Sequence, residues 1–166
     1  MAGRYRGAHR LLRRYAPPTL RLTMTETYLP SPNSFVADHV TRYEATAGAS
    51  GGTMDNGARV VILTTTGRRT GMLRKSPIIR VPYLAGYLAI ASMGGADRHP
   101  AWYLNIVEHA EVTVQDFGST RELRGRTATG EERRVLWPVA SEVWPDYEAY
   151  QLETDRQIPV VVLEPR

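Results

Sequence analysis

Residues 60–81 read VVILTTTGRRTGMLRKSPIIRV, and the fold class follows from this stretch more than from any other. A β-branched run at 60–65 leads into a turn bounded by Gly67 and Gly71, and a second short run follows at 76–81. A turn of this length suits an antiparallel hairpin, whereas parallel strands need a crossover of roughly a dozen residues or more. The stretch therefore predicts an antiparallel β-sheet.

More strands of the same kind follow the hairpin. Short β-branched or alternating runs lie at 87–92, 111–115, 121–127 and 158–163, and Ala85-Gly86 reads as a second hairpin turn. With about three helices, these hairpins of about six strands predict an α+β barrel with the helices packed outside.

Three helical regions accompany the strands. Residues 34–47 carry apolar side chains at helical spacing, with Asn33 or Ser34 as the N-cap. Pro100 suits the first position of a second helix. The third region, residues 129–153, begins with a sequence that fits a capping box, and we expect it to break at its two internal prolines.

The composition argues against several classes of protein. The chain has 166 residues, the size of one domain, and no cysteine, which removes disulfides, thiolate ligands and iron–sulfur clusters. Its four histidines are scattered without the spacing of metal ligands, so we expect no metal site. It contains no Gly-x-Gly-x-x-Gly after a strand, no Walker-type loop and no His-Glu-x-x-His, which argues against a Rossmann site, an NTPase and a zinc protease.

The net charge of +4 lies at the N-terminus. Residues 1–23 carry six arginines and no acidic residue, which leaves 15 basic and 17 acidic side chains elsewhere and argues against a nucleic-acid partner. This segment either contacts an anionic membrane surface or is a dispensable extension before a true start at Met24, and we favour the second. We expect a basic, proline-rich and poorly ordered arm at 1–33, and a single domain at 34–166.

The expected location is the cytoplasm, with membrane association through residues 1–23 as the alternative. No stretch of the chain approaches the roughly 20 consecutive apolar residues of a spanning helix. The first 23 residues also lack the apolar centre of a signal peptide.

The first candidate site is the turn between the first two strands. Four cations lie within eight residues and hydroxyl groups adjoin them, which gives a set of donors suited to an anion. The alternative is a solvated hairpin tip. The candidate residues are Thr66, Arg68, Arg69, Arg74, Lys75 and Ser76.

The second candidate site is the segment between a strand and the second helix. Two glycines allow a ligand to approach the backbone closely, and the N-terminus of the helix adds unpaired N–H groups. The alternative is an ordinary strand-to-helix turn, with Trp102 in the core and Asn105 as the better polar candidate. The other candidate residues are Ala91, Ser92, Met93, Gly94 and Gly95.

The third candidate site is an aromatic series. Trp144, Tyr147 and Tyr150 recur every three residues, which puts them on one side of a helix. Such a stripe usually packs in a core. Because buried phenol groups need polar partners, a wall over a planar ring is the alternative.

Together, these three stretches and the segment TDRQIPVVV at 154–162 resemble the deazaflavin-dependent nitroreductase family, a branch of the split β-barrel flavin and deazaflavin oxidoreductases. The resemblance covers residues 35–165. It implies a split antiparallel barrel of the FMN-binding type that holds coenzyme F420, an 8-hydroxy-5-deazaflavin. The phosphate and acidic tail would meet Arg69, Arg74 and the backbone of residues 92–95.

The resemblance also implies a reaction. Reduced F420 would pass hydride to a small electrophilic acceptor, such as a quinone, an activated alkene or a nitro compound. The ring would lie near Ser92, Trp102 and Asn105, and Tyr147 and Tyr150 would lie where the acceptor enters. We expect Ser92, Tyr147 or Tyr150 to supply a hydrogen bond or a proton. An FMN-dependent enzyme of the same barrel type and a non-catalytic F420 or flavin carrier are the alternatives.

The chain departs from the pattern of that family at two positions. Met93 stands where members carry Lys, which removes one cation near the cofactor tail. Trp144 stands where members carry Tyr, which changes the roof of the acceptor pocket. The sequence leaves open whether the protein is a monomer or a homodimer.

Overall fold

The structure is a computed structural model that describes residues 27–166. Within that range it has seven strands and four α-helices, with one 3₁₀ turn at Met93–Gly95. In chain order the elements are α1 (Ser34–Ala45), β1 (Val60–Thr66), β2 (Leu73–Ile79), β3 (Val81–Tyr83), β4 (Gly86–Ile90), α2 (Ala101–Glu108), β5 (Glu111–Asp116), β6 (Ser119–Ala128), α3 (Gly130–Val143), α4 (Asp146–Leu152) and β7 (Val160–Pro165).

All strand pairs are antiparallel, in the order β2-β1-β5-β6-β7-β4-β3. This confirms the antiparallel α+β prediction, including the hairpin in which Val60 pairs with Ile79. β2 and β3 lie at opposite ends of this order, although Arg80 alone separates them in the chain. The sheet must therefore curl until its two edges approach each other, which produces a barrel that is split between β2 and β3.

The predicted strand at 76–81 corresponds to two strands, so the structure has seven strands rather than six. Arg80 interrupts the run: its backbone N–H donates to the Arg59 carbonyl, and its Nε lies 2.7 Å from an Asp116 carboxylate oxygen. The Tyr87 hydroxyl donates to the same carboxylate at 2.8 Å. These polar contacts fix the point where the chain passes from one edge of the barrel to the other.

The core follows the alternation of side chains along the strands. Val61 and Leu63 face the barrel interior, where they pack with Trp102, whereas Ile62 faces α1 and packs with Tyr43. A further cluster lies between the sheet and the helices α3 and α4. Complete burial of one such aliphatic side chain contributes about 1.5–3 kcal/mol, so these clusters hold the helices on the outside of the barrel.

The helices largely follow the predictions, with three corrections. Asn33 is the N-cap of α1 and accepts a hydrogen bond from the Phe35 N–H at 3.0 Å, as expected. Pro100 is the N-cap residue of α2 rather than its first residue. The other two corrections concern α3.

The expected break at Pro138 is wrong, because α3 continues through this residue to Val143. The missing N–H leaves only the Arg134 carbonyl without its helical partner, and the exposed surface there lets water replace it. The expected capping box does not form either: the side chain of Thr129 makes no capping bond, and Arg126 binds the Glu132 carboxylate at 2.8 Å.

Only the end of the predicted arm lies within the described residues. The Leu29 N–H donates to the Leu73 carbonyl, and the Leu73 N–H donates to the Thr27 carbonyl, both at 3.0 Å. These bonds place residues 27–29 beside β2. Residues 1–26 lie outside the described part of the chain. In the described part, no helix is long and apolar enough to cross a membrane.

Candidate active site

A groove of about 470 Å³ runs along β2, past the end of β4, to the junction of α3 and α4. Its walls include Ser76, Ile78, Ser92, Trp102, Tyr147 and Tyr150. No Asp, Glu, Lys or Arg of the described chain lines it, so its walls are mainly apolar and aromatic with hydroxyl groups. They also include the His39 imidazole, whose Nε2 lies 2.7 Å from the Gly51 carbonyl oxygen. A smaller cavity of about 340 Å³ beside Leu84 contains none of the predicted site residues.

The alternation along β2 divides the predicted cationic residues between two faces. Ser76 pairs with Leu63 and Arg74 pairs with Thr65, so both lie on the face of the barrel interior. Ser76 lines the groove, and Arg74 lies beyond it, beside Gly67. The structure therefore brings these two side chains to the groove side of the strand.

Lys75 and Thr66 lie on the opposite face of the hairpin. The Lys75 Nζ is 2.5 Å from the Glu44 carboxylate and 4.6 Å from the centre of the Tyr28 ring. The ammonium group of Lys75 therefore pairs with α1 and with the segment before α1. A direct role for Lys75 or Thr66 in binding a cofactor stays a prediction.

Residues 67–71 form a closed turn, which we call the arginine turn. The Gly71 N–H donates to the Gly67 carbonyl at 2.7 Å, and Gly71 has a φ of +68°, which favours glycine. Arg68 and Arg69 are exposed and form no salt bridge within the described residues. Their cationic groups are available to an anion from solution.

Asn105, on α2, is hydrogen-bonded to the backbone of this turn. It is buried, its Oδ1 accepts from the Arg68 N–H at 3.1 Å, and its Nδ2 donates to the Thr65 hydroxyl at 3.0 Å. The side chain thus connects α2 with the end of β1 and the turn. A direct contact between Asn105 and a cofactor stays a prediction.

Residues 91–99 form a loop with unusual backbone, which we call the glycine loop. Met93, Gly94 and Gly95 have φ values of +49°, +61° and +81°, which is the left-handed region. A Cβ on Gly95 would lie 2.7 Å from a Glu153 carboxylate oxygen and 3.0 Å from the Tyr150 carbonyl, so only glycine fits beneath α4. The loop is therefore held against the helix that carries Tyr150.

The glycine loop presents free donors to the groove. Ser92, Met93 and Gly94 line the groove, and their backbone N–H groups have no hydrogen-bond partner among residues 27–166. The Ser92 hydroxyl also has none there, although the residue is only 9% exposed. Successive unpaired N–H groups form a concave surface that suits an anion.

Arg156 binds the carbonyl side of this loop, and the sequence patterns do not identify it as a site residue. Its Nε donates to the Ala96 carbonyl and its Nη2 to the Ser92 carbonyl, both at 2.7 Å, and Nη2 also donates to the Ala91 carbonyl at 3.1 Å. Its Nη1 is 3.1 Å from the His99 Nδ1. No local pattern reveals these contacts, because the loop lies about 60 residues earlier in the chain.

Burial and charge set the protonation of this cluster. Burial lowers the pKa of the Arg156 guanidinium from its usual value, and nearby Asp97 opposes that shift. Burial, followed by the charge of Arg156, lowers the pKa of the His99 imidazole. A neutral His99 can accept the hydrogen bond from Arg156 through Nδ1.

Trp144, Tyr147 and Tyr150 form an aromatic wall that lines the groove. The same side chains also belong to or pack against the cluster between the sheet and the helices α3 and α4, as the core interpretation of their spacing expects. The ring centres of the two tyrosines are 6.4 Å apart, with the planes tilted by 67°. Tyr147 is 4% exposed, and burial raises the pKa of its phenol well above the usual range. Both tyrosines line the groove, so their hydroxyl groups can donate to a molecule bound there.

Trp102 packs in the barrel core, as its core interpretation expects, and it also lines the groove. A contact between Trp102 and a ligand stays a prediction. Within residues 27–166 no group of three His, Asp or Glu side chains is placed to hold a metal ion. The groove therefore combines an aromatic slot for a planar ring with main-chain donors for an anionic group, and cations lie beyond it at the arginine turn.

Three comparisons bear on this arrangement. The family model described as F420H(2)-dependent quinone reductase matches residues 36–165. The F420H(2)-dependent quinone reductase of Mycobacterium tuberculosis strain H37Rv is 32% identical over 133 residues, which cover 77% of this chain and 88% of that protein.

Two solved structures are also similar. One, described as an F420-H2 dependent reductase, FDR-A, is 40% identical with a TM-score of 0.60, and the match covers 63% of this chain and 93% of that one. The other, described as a domain-swapped dimer, is 36% identical with a TM-score of 0.62, and the match covers 81% of this chain and 100% of that one.

Proposed function

This chain belongs to the F420H(2)-dependent quinone reductase family, and from that premise we propose that its groove binds coenzyme F420 and serves the transfer of hydride to a quinone. Membership confirms the family resemblance seen in residues 35–165 and the assignment of the chain as an F420H2-dependent reductase. The split-barrel fold agrees with the same relatives.

One observation carries the assignment of the groove: an aromatic slot without Asp, Glu, Lys or Arg adjoins main-chain N–H groups that have no partner of their own within the described chain. A deazaflavin with a phosphate-bearing tail has the matching parts, a planar ring and an anion. A Cβ on Gly94 would meet nothing within 4 Å, so space remains beside these donors. The residues present therefore fit the cofactor.

We assign the contacts as follows. The N–H groups of residues 92–94 would hold the phosphate, and Arg69 and Arg74 would meet the acidic tail. Ser92 and Trp102 would flank the ring. The cofactor itself supplies the hydride, which agrees with a groove that contains no pair of acidic residues.

The aromatic wall would serve the acceptor. Tyrosine is protonated at neutral pH, and the raised pKa of the buried Tyr147 phenol favours this form further, so its hydroxyl group can donate a hydrogen bond. Tyr150, which is half-buried at the groove, has a hydroxyl available for the same purpose. A donor aimed at the oxygen of a quinone stabilises the negative charge that develops there as hydride arrives.

The test is the oxidation of F420H2 by a short-chain quinone, followed by absorbance in the wild type, Tyr150→Phe and the control Tyr83→Phe, which lies beside the smaller cavity. We expect turnover in the wild type and in the control, and a loss of at least about tenfold in Tyr150→Phe with unchanged F420 affinity. Tight F420 binding without turnover in the wild type would instead indicate a carrier, and turnover with FMN alone would indicate the sister flavin enzymes.

Two further assignments stay proposals. A solved relative described as a domain-swapped dimer supports a homodimer for this chain, which sedimentation analysis would test. For residues 1–23, with their six arginines, we favour a dispensable extension over contact with an anionic membrane surface, and comparing the membrane partitioning of the full chain with that of a chain that starts at Met24 would test this choice.

A further inference from the structure

The Arg156 guanidinium is a partly buried cation that faces carbonyl oxygens rather than an acid. It forms no salt bridge within the described residues, and the Asp97 carboxylate accepts from the Thr154 hydroxyl at 2.8 Å instead. Burial opposes the charged form of Arg156, as its lowered pKa indicates. Its contacts with the glycine loop must therefore compensate for that loss of hydration.

Those contacts fix the direction of two peptide groups. A trans peptide is planar, so its C=O and its N–H point in opposite directions. The carbonyl of Ala91 belongs to the same peptide group as the N–H of Ser92, and the carbonyl of Ser92 belongs with the N–H of Met93. Since Arg156 binds both carbonyls, both N–H groups point away from Arg156.

N–H groups that point away from Arg156 are placed to face the groove. Ser92 and Met93 line it, whereas Arg156 does not. Hydrogen bonding of a carbonyl to a cation also polarises the peptide and strengthens its N–H as a donor. Met93 has a φ of +49°, a conformation that a residue with a side chain rarely adopts, so this direction needs external support.

We propose that Arg156 is a positioning residue: it does not touch the cofactor, but it orients the N–H groups of Ser92 and Met93 as the anion donors of the groove. This inference rests on the proposed function, in which those N–H groups meet the phosphate of F420. In this way Arg156 would strengthen the binding of the cofactor although it does not line the groove.

The test compares Arg156→Gln and Arg156→Lys with a matched control, Arg133→Gln. Arg133 is also half-buried with a pKa lowered by burial, and it donates to the Ile158 carbonyl at 2.9 Å and to the Gln151 side chain at 3.2 Å. It has no hydrogen bond to the glycine loop. Its replacement removes comparable bonds elsewhere in the same domain.

The first measurement is the Kd for oxidised F420, with Tm as a measure of stability. We expect Kd to rise about tenfold or more in Arg156→Gln and by less in Arg156→Lys, which keeps the charge and part of the donors. Arg133→Gln should lower Tm by a similar amount but leave Kd within about twofold. Equal Kd values in folded Arg156→Gln and the wild type would overturn the proposal, as would an equal loss of affinity in all three variants.

The second measurement needs no cofactor. The N–H groups of Gly95 and Ala96 donate to the Ser92 and Met93 carbonyls, so their hydrogen exchange reports the order of the loop. We expect faster exchange in both Arg156 variants and no change in Arg133→Gln. If the wild type fails to bind F420, the proposed function fails, and unchanged exchange in the Arg156 variants would then separately overturn this inference. If Arg156→Gln does not fold, Arg156→Lys provides both comparisons.

Discussion

The arginine turn and the glycine loop both offer donors to an anion, but they do so in opposite ways. In the turn, backbone groups close the turn itself or bind Asn105, and the exposed side chains of Arg68 and Arg69 supply the charge. In the glycine loop, the backbone supplies the donors, and Arg156 lies behind it on the carbonyl side. An arginine of the turn can therefore bind an anion directly, whereas Arg156 orients the main-chain N–H groups that bind it. Substitutions in the two regions should differ in their effects on stability and on F420 affinity.

The largest effect is expected in the glycine loop, for Gly95→Ala. The new Cβ would collide with Glu153 and the Tyr150 carbonyl at a φ of +81°, so we expect a loss of about 3 kcal/mol in the free energy of unfolding, together with loss of F420 binding. Gly57→Ala is the control, because Gly57 has a φ of +86° and does not line the groove, and its new Cβ would meet nothing within 4 Å, which leaves a strain of about 1 kcal/mol. Urea denaturation measures the loss of stability, and an F420 titration measures the loss of binding. Equal losses in the two variants would show that the close packing of Gly95 beneath α4 is not the cause.

The next effect concerns the support of the arginine turn. Asn105→Ala leaves the buried Thr65 hydroxyl and the Arg68 N–H without their partner, which should cost about 2 kcal/mol of stability. F420 affinity should fall less than in Gly95→Ala, because the cationic side chains of the turn remain. Asn56→Ala is the control: this exposed asparagine also accepts a backbone N–H, and its loss should stay near about 0.5 kcal/mol. Equal urea-denaturation midpoints for Asn105→Ala and the wild type would contradict the role of Asn105 in stabilising the turn.

A smaller effect is expected when a charge of the turn is removed. Arg69→Gln should raise the Kd for F420 about fivefold at low salt and leave stability unchanged, because the side chain is exposed. The difference from the wild type should shrink as salt screens the charge. Arg124→Gln, an exposed arginine on β6, serves as the control. A difference that persists at high salt would show that Arg69 does not act through its exposed charge.

The smallest effect is a pH dependence within the glycine loop. His99 has a lowered pKa in the folded protein, so the unfolded chain takes up the proton more readily as pH falls below about 6.5. Stability linked to His99 is therefore present above that value and is lost as pH falls towards the folded pKa. His99→Gln, which can still accept from Arg156, should flatten this part of the stability profile between pH 7 and 5. Parallel profiles for the variant and the wild type would contradict this linkage.

The sequence predicts the barrel better than it predicts the site. The strands follow from local β-branched runs and hairpin turns. The separation of β2 from β3 at Arg80 could not be predicted, because it depends on Asp116 in a distant strand. At the candidate site, Arg74 and Lys75 look equivalent in the sequence, although adjacent residues of a strand must face opposite sides. That alternation could have separated them.

Arg156 and Asn105 illustrate what local patterns cannot show. The sequence suggests Asn105 as a polar residue near the cofactor, which stays a prediction, but it does not show that the Asn105 amide bonds to Thr65 and to the Arg68 backbone about 40 residues away. Arg156 lies in a segment that carries the family resemblance, yet its partners in the glycine loop are set by the folded barrel. Both roles depend on long-range contacts, which neither composition nor periodicity encodes.

A titration of the wild-type protein with oxidised F420 and, in parallel, with FMN, at low and high salt tests whether the glycine loop and the arginine turn hold the cofactor. If the glycine loop and the arginine turn together hold F420, the protein should bind F420 selectively, with an affinity that weakens but persists at high salt because the main-chain donors remain. Equal or tighter binding of FMN, or binding of neither molecule, would contradict the account.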